Sequence, residues 1–133
     1  MGKSVRWIGA VLVALAIGWA ARETWARATG CSLFPMTLAS SVVEASVFVA
    51  LARPRRGWQA GLALVATKTL VVHALLIAVG FPASGSATGA VHLWWANIGC
   101  VGRVELVAVL PCGMLGGHLG TLLVRHVATR PAS

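Results

Sequence analysis

Residues 58–81 read WQAGLALVATKTLVVHALLIAVGF, an apolar run whose only formally charged residue is Lys68. As a helix rising 1.5 Å per residue it would be about 36 Å long, more than the ~30 Å hydrocarbon core of a bilayer. Its apolar residues surround the helix instead of one face, so no side is left for water. The run is also continuous, whereas a strand of a membrane β-barrel alternates. Lipid is therefore the expected solvent of this segment and of the rest of the chain.

The composition agrees. The 133-residue chain is 58% hydrophobic and 11% charged, with a mean hydropathy of +0.84, where a soluble domain has roughly 25% charged residues. Two more runs, 32–52 and 104–124, reach the roughly 20 residues that a membrane-spanning helix needs. A fourth, 7–21, is shorter and spans only if Arg6 and Arg22 snorkel outward. That segment also resembles a signal peptide, with Lys3 and Arg6 ahead of an apolar stretch and Ala26-Arg27-Ala28 as a cleavage pattern. Arg22, Glu23 and Arg27 before the cut argue against cleavage, so an uncleaved first helix is the preferred reading. The expected fold is all-α: a single-domain polytopic membrane helix bundle with four transmembrane helices, or three if the first is removed. The outer segment 82–103 is expected to hold a short interfacial or re-entrant helix at 89–97 before the last span. An extra span over 87–102 is rejected, because it leaves only Arg103-Val104-Glu105 to turn a hairpin.

A formal charge of +8 would suggest nucleic acid in a soluble protein. Here the basic residues flank apolar runs, which excludes that reading and sets an orientation instead. Lys3, Arg6, Arg53, Arg55, Arg56, Arg125 and Arg130 fall on one side, and only Arg22, Arg27 and Arg103 on the other. Both termini and the Arg53-Pro54-Arg55-Arg56 turn are thus expected in the cytoplasm, in a bacterial inner membrane. The six tryptophans, Trp7, Trp19, Trp25, Trp58, Trp94 and Trp95, fall near span ends as interfacial anchors do.

Charges inside hydrocarbon are costly, about 2.5–3.5 kcal/mol each on insertion scales, so each needs a partner or a purpose. Glu44 lies twelve residues from the outer end of its run, and Lys68 thirteen residues from the outer end of the next. At 1.5 Å per residue both are ~18–20 Å deep, so the two are expected to pair. His118 comes out at ~21 Å on the last helix and is expected to join them if its face turns inward. Thr37, Ser40 and Ser41 precede Glu44 at i−7, i−4 and i−3 and share its face. His73 is read as a structural histidine hydrogen-bonded to Thr69.

The last run carries Gly113, Gly116, Gly117 and Gly120, two overlapping small-xxx-small pairs that allow close helix approach. The motif does not say whether the partner helix is internal or on another chain. Pro111 is expected to kink this helix. Cys112, Met114 and His118 do not make a metal site, and Cys31 with Cys100 would share the outer side, where a disulfide is open to them.

The chain has no Asp, and its three acids, Glu23, Glu44 and Glu105, are dispersed. No nucleophile–base set or phosphate-binding loop can be assembled, so neither an enzyme nor a cofactor is expected. Two classes are left. In the first, the protein is a non-catalytic subunit or scaffold of a membrane complex, contacting a protein partner or itself through the last helix, with Glu44 and Lys68 as an orienting pair. In the second, it is a small oligomeric transporter or proton-coupled carrier using Glu44 and His118. A sealed ion pair would favour the scaffold, and a cavity reaching Glu44 would favour the carrier.

Overall fold

The computed structural model describes residues 2–30 and 33–129, with backbone alone at Lys3, Leu33, Phe34, Pro35, Cys100 and Val101. Within them the chain folds into five helices: α1 (Lys3–Thr29), α2 (Leu33–Ala52), α3 (Gly57–Ser84), α4 (Ala87–Asn97) and α5 (Gly99–Ala128). No strand occurs among the described residues. In lipid an open sheet edge would leave peptide groups unsatisfied, whereas a helix bonds them within itself. α1, α3 and α5 are long and apolar enough to cross a bilayer, and α2 is a shorter apolar helix beside them. The molecule is an all-helical membrane bundle.

Three helices run beyond the apolar segments that announce them. α1 continues through Arg22, Glu23 and Arg27 to Thr29, and the hydroxyls of Thr24 and Thr29 donate back to the carbonyls of Ala20 and Trp25. Apolarity sets where lipid ends, but a helix ends only at a breaker, here Gly30 in the left-handed conformation. The Ala26-Arg27-Ala28 sequence therefore lies inside a continuous helix. α5 likewise starts at Gly99 and passes through Pro111 as one helix. α3 runs through Pro82 to Ser84, where Gly85, at φ 68°, donates its N–H to the Phe81 carbonyl and turns the chain. The Ser86 hydroxyl then accepts from Gly89 N–H at 3.0 Å and caps α4. With 11 residues, α4 is about 16 Å long and too short to span. It packs on α3.

α5 packs against both α2 and α3, while α2 and α3 touch each other less. The glycines of α5 divide between the two neighbours. Gly113 and Gly117 lie against Gly61 and Gly57 of α3, and Gly116 and Gly120 lie against Val42, Ala45, Ser46 and Val49 of α2. A Cβ added at Gly113 would stand 2.9 Å from the Gly61 carbonyl oxygen, so backbone meets backbone. The Ser46 hydroxyl bridges the seam, donating to the carbonyls of Val42 (2.7 Å) and Gly116 (3.0 Å). The glycine face is thus occupied within the chain.

α1 rests on α2 through small residues: Ala10 and Ala14 are buried against Phe48, Val49 and Ala52. Arg6 donates to the Ala52 carbonyl at 3.2 Å, and Trp7 meets Phe48 edge to face at 5.4 Å. The start of α1, the α2–α3 turn and the end of α5 consequently lie at one end of the bundle. A second buried cluster, Ala45, Val65 and Val109, joins α2, α3 and α5. Outside these seams the surface is aliphatic: Leu70 is 71% and Val79 77% exposed, as side chains facing lipid are. Cys112 is free, and the pairing considered for Cys31 with Cys100 lies outside the described residues. Arg130 lies outside them as well.

Candidate functional site

Above the Ala45, Val65 and Val109 cluster the helices part around a cavity of about 380 Å³. At its floor the Lys68 ammonium donates to Oε2 of Glu44. The pair is asymmetric in exposure, with 6% of the Glu44 side chain accessible against 24% for Lys68. Burial makes an unpaired charge expensive, so each ion here depends on the other. The antiparallel packing of α2 and α3 about their short turn brings the two to one level.

Each wall adds polar groups. α2 contributes Thr37, Ser40 and Ser41 along with Glu44. Ser40 and Ser41 both donate to the Thr37 carbonyl, at 3.0 and 2.8 Å. Their donors are engaged along the helix, and their oxygens can still accept from the cavity. α1 contributes Gly18, Trp19 and Arg22, and α5 contributes Glu105. A Cβ at Gly18 would land on the Glu44 side chain, so glycine is what lets α1 close over the carboxylate. Arg22, one turn further along α1, adds a longer-range attraction to Glu44. The cavity therefore holds two acids, Glu44 and Glu105, and two bases, Lys68 and Arg22.

His73 borders the cavity, but its partner is not Thr69 of its own helix. Trp94 of α4 donates its indole N–H to His73 Nδ1 at 3.0 Å, with the rings T-shaped at 5.5 Å. Beside it the Arg103 guanidinium lies 4.3 Å from the Trp95 ring centre and donates to the Trp95 carbonyl at 3.0 Å. These contacts fold α4 over the C-terminal end of α3. The tryptophans act here as hydrogen-bond donor and cation platform as well as depth markers.

Glu44, Lys68, Thr37, Ser40 and Ser41 thus surround one cavity, and His118 is apart from it. His118 is exposed on α5 and does not line the space. The depth argument gives its level but not its face. Gly113, Gly116, Gly117 and Gly120 take the inward side of α5, and His118 is about 100° around from Gly117 and 200° from Gly116. It points to lipid. Gly18, Arg22 and Glu105 are cavity residues that reading by apolar runs passes over. For Arg22 the available signal was its i+4 spacing from Gly18, a small residue on the same helix face.

No protein family, curated protein or solved structure matches this chain. What the cavity can do follows from its chemistry. Among the described residues no group of three or more His, Cys, Asp or Glu side chains is placed to hold a metal ion. The balanced charges suit a small polar solute or a proton, either of which would compete with Lys68 for Glu44.

Proposed function

We propose that this protein is a small membrane carrier whose working element is the Glu44–Lys68 pair. One observation carries the reading: the pair lines a cavity of about 380 Å³ of mixed polar and apolar wall, with Glu44 buried and Lys68 partly open. That volume is within the roughly 300–1,000 Å³ usual for small-ligand sites. A buried ion pair serving only to orient helices has no need of an approach lined by Arg22, Glu105 and hydroxyl groups. Protonation of Glu44 would remove its charge and release Lys68, coupling proton binding to the state of the cavity. α1, held mainly to α2 through Ala10, Ala14 and Gly18, is the element best placed to move in response. His118 has no part in this scheme.

The location proposed is a bacterial inner membrane with both termini in the cytoplasm, supported by the distribution of arginine and lysine. Self-association, if the carrier is oligomeric, falls to the exposed face of α5 around Leu115, Leu122 and Val127. A subunit or scaffold role is the second reading, favoured by the exposed Val91, Leu93 and Trp95 of α4 as a contact surface.

Purified protein in liposomes loaded with a pH-sensitive dye tests the carrier. Under an imposed membrane potential, wild-type vesicles should change internal pH at least about tenfold faster than empty ones. The variant Glu44→Gln/Lys68→Met, which removes both charges, should fold and lose that flux. Wild-type flux equal to that of empty vesicles, or full flux in the double variant, would sink the proposal.

A further inference from the structure

We propose that the open slot between α1 and α3 binds one anionic phospholipid, its headgroup at Arg55 and Arg56 and an acyl chain running toward Lys68. The slot exists because both helices rest on other elements instead of closing on each other. It encloses about 990 Å³, and its walls, among them Val11, Leu15, Phe48 and Leu64, are apolar. Its polar residues form two groups: Arg55, Arg56 and Gln59 at one end, and Thr67 and Lys68 about one turn before the apolar far end at Val71 and Val72.

The distance from the arginines to Lys68 fits one leaflet, and the slot runs on about one turn further to Val71 and Val72. Arg56 and Lys68 are twelve residues apart on or next to one helix, ~18 Å at 1.5 Å per residue. Half of a ~30 Å hydrocarbon core is ~15 Å. A lipid held by its phosphate at the arginines therefore ends its chain near Lys68. The charges fit as well. No acidic residue lines the slot, and among the described residues neither guanidinium has a hydrogen-bond or ion-pair partner. Basic pockets between helices at the membrane surface are suited to anionic headgroups.

A second copy of this chain is a poorer occupant. Two-fold packing about an axis along the membrane normal would set one arginine turn against another. A zwitterionic lipid brings a cation of its own to Arg55 and Arg56. Lys68 borders both the slot and the polar cavity, so a bound chain end would lie against the ion pair. The lipid site stands on the slot alone, whether or not the carrier reading holds.

Native mass spectrometry of the full chain in mild detergent, titrated with phosphatidylglycerol or phosphatidylcholine of the same acyl chains, tests this. One phosphatidylglycerol should bind with an apparent Kd about tenfold to thirtyfold below that of phosphatidylcholine, two arginines each adding about 1 kcal/mol. The surface variant Arg55→Gln/Arg56→Gln should erase the difference. Ala63→Trp, which fills the slot and keeps the arginines, should lose the bound lipid while circular dichroism shows the same helix content. Equal retention of the two lipids, a preference unchanged by the glutamines, lipid retained by the tryptophan variant, or a dimer that excludes lipid would each overturn the proposal.

Discussion

The two halves of α3 meet the rest of the protein in opposite ways. Near its start, Gly57 and Gly61 press backbone to backbone on Gly117 and Gly113 of α5. Past Val65 the same face continues at four-residue intervals with Thr69 and His73, and there the helices enclose a cavity. Glycine gives way along the seam to the branched Val65 and Thr69 and then to His73, and past Val65 the helices part around the cavity. Lipid supplies no hydrophobic force between helices, and close contact comes from small residues. Where they run out, room for ionic groups appears. The tight half gives the bundle its shape, and the wide half its chemistry.

The largest expected effect lies in the wide half. Lys68→Ala or Glu44→Ala should each destabilise the protein by about 3–5 kcal/mol by stranding a buried charge, and the double alanine variant should be less damaging than either. Equilibrium unfolding in mixed micelles measures this; a double variant as unstable as the worse single one would mean that the two charges do not support each other. In the tight half, Gly61→Ala should cost about 1–3 kcal/mol, because its methyl group meets the backbone of α5. An unchanged unfolding midpoint would show that the seam yields. Ser46→Ala, which removes the bridge to the Gly116 carbonyl, should cost about 0.6 kcal/mol and no more than ~1.7 by the same assay. The smallest effect has the opposite sign. Gly9 has open space around it, so Gly9→Ala should gain about 0.5–1 kcal/mol, and a loss there would reveal a contact on the outer face of α1.

Much of this contrast is legible in the sequence, and the division follows dimension. Depth along a helix depends only on the rise per residue, so Glu44 and Lys68 could be set at one level from their distances to the span ends. The direction of a side chain around the helix depends on which face packs. His118 shows the consequence, since it has the right level and faces away from the bundle. The glycines that turn it outward were visible, but whether they served this chain or another was not. Gly57 and Gly61, also small-xxx-small, were the unread clue that the partner was α3. At α1 and α5 the apolar runs stop short of the helix ends, because charge marks the edge of lipid and not the end of a helix. Arg22 flanks the first apolar run and Glu105 opens the last, and α1 and α5 carry both into the lining of the cavity. The bond from Trp94 to His73 depends on how α4 folds back, which no local spacing encodes.

The weak direct contact between α2 and α3 has a consequence for biogenesis. Those two helices are synthesised before α5, yet α5 is the principal neighbour of each, with α1 packed on α2 as well. The bundle is completed by the last of the five described helices to be synthesised, and until then α2 and α3 form a loosely tethered hairpin bearing two opposite charges. A chain ending at residue 98 should accordingly be degraded in cells far faster than the whole protein, and equal lifetimes in a pulse-chase experiment would show that the hairpin holds itself.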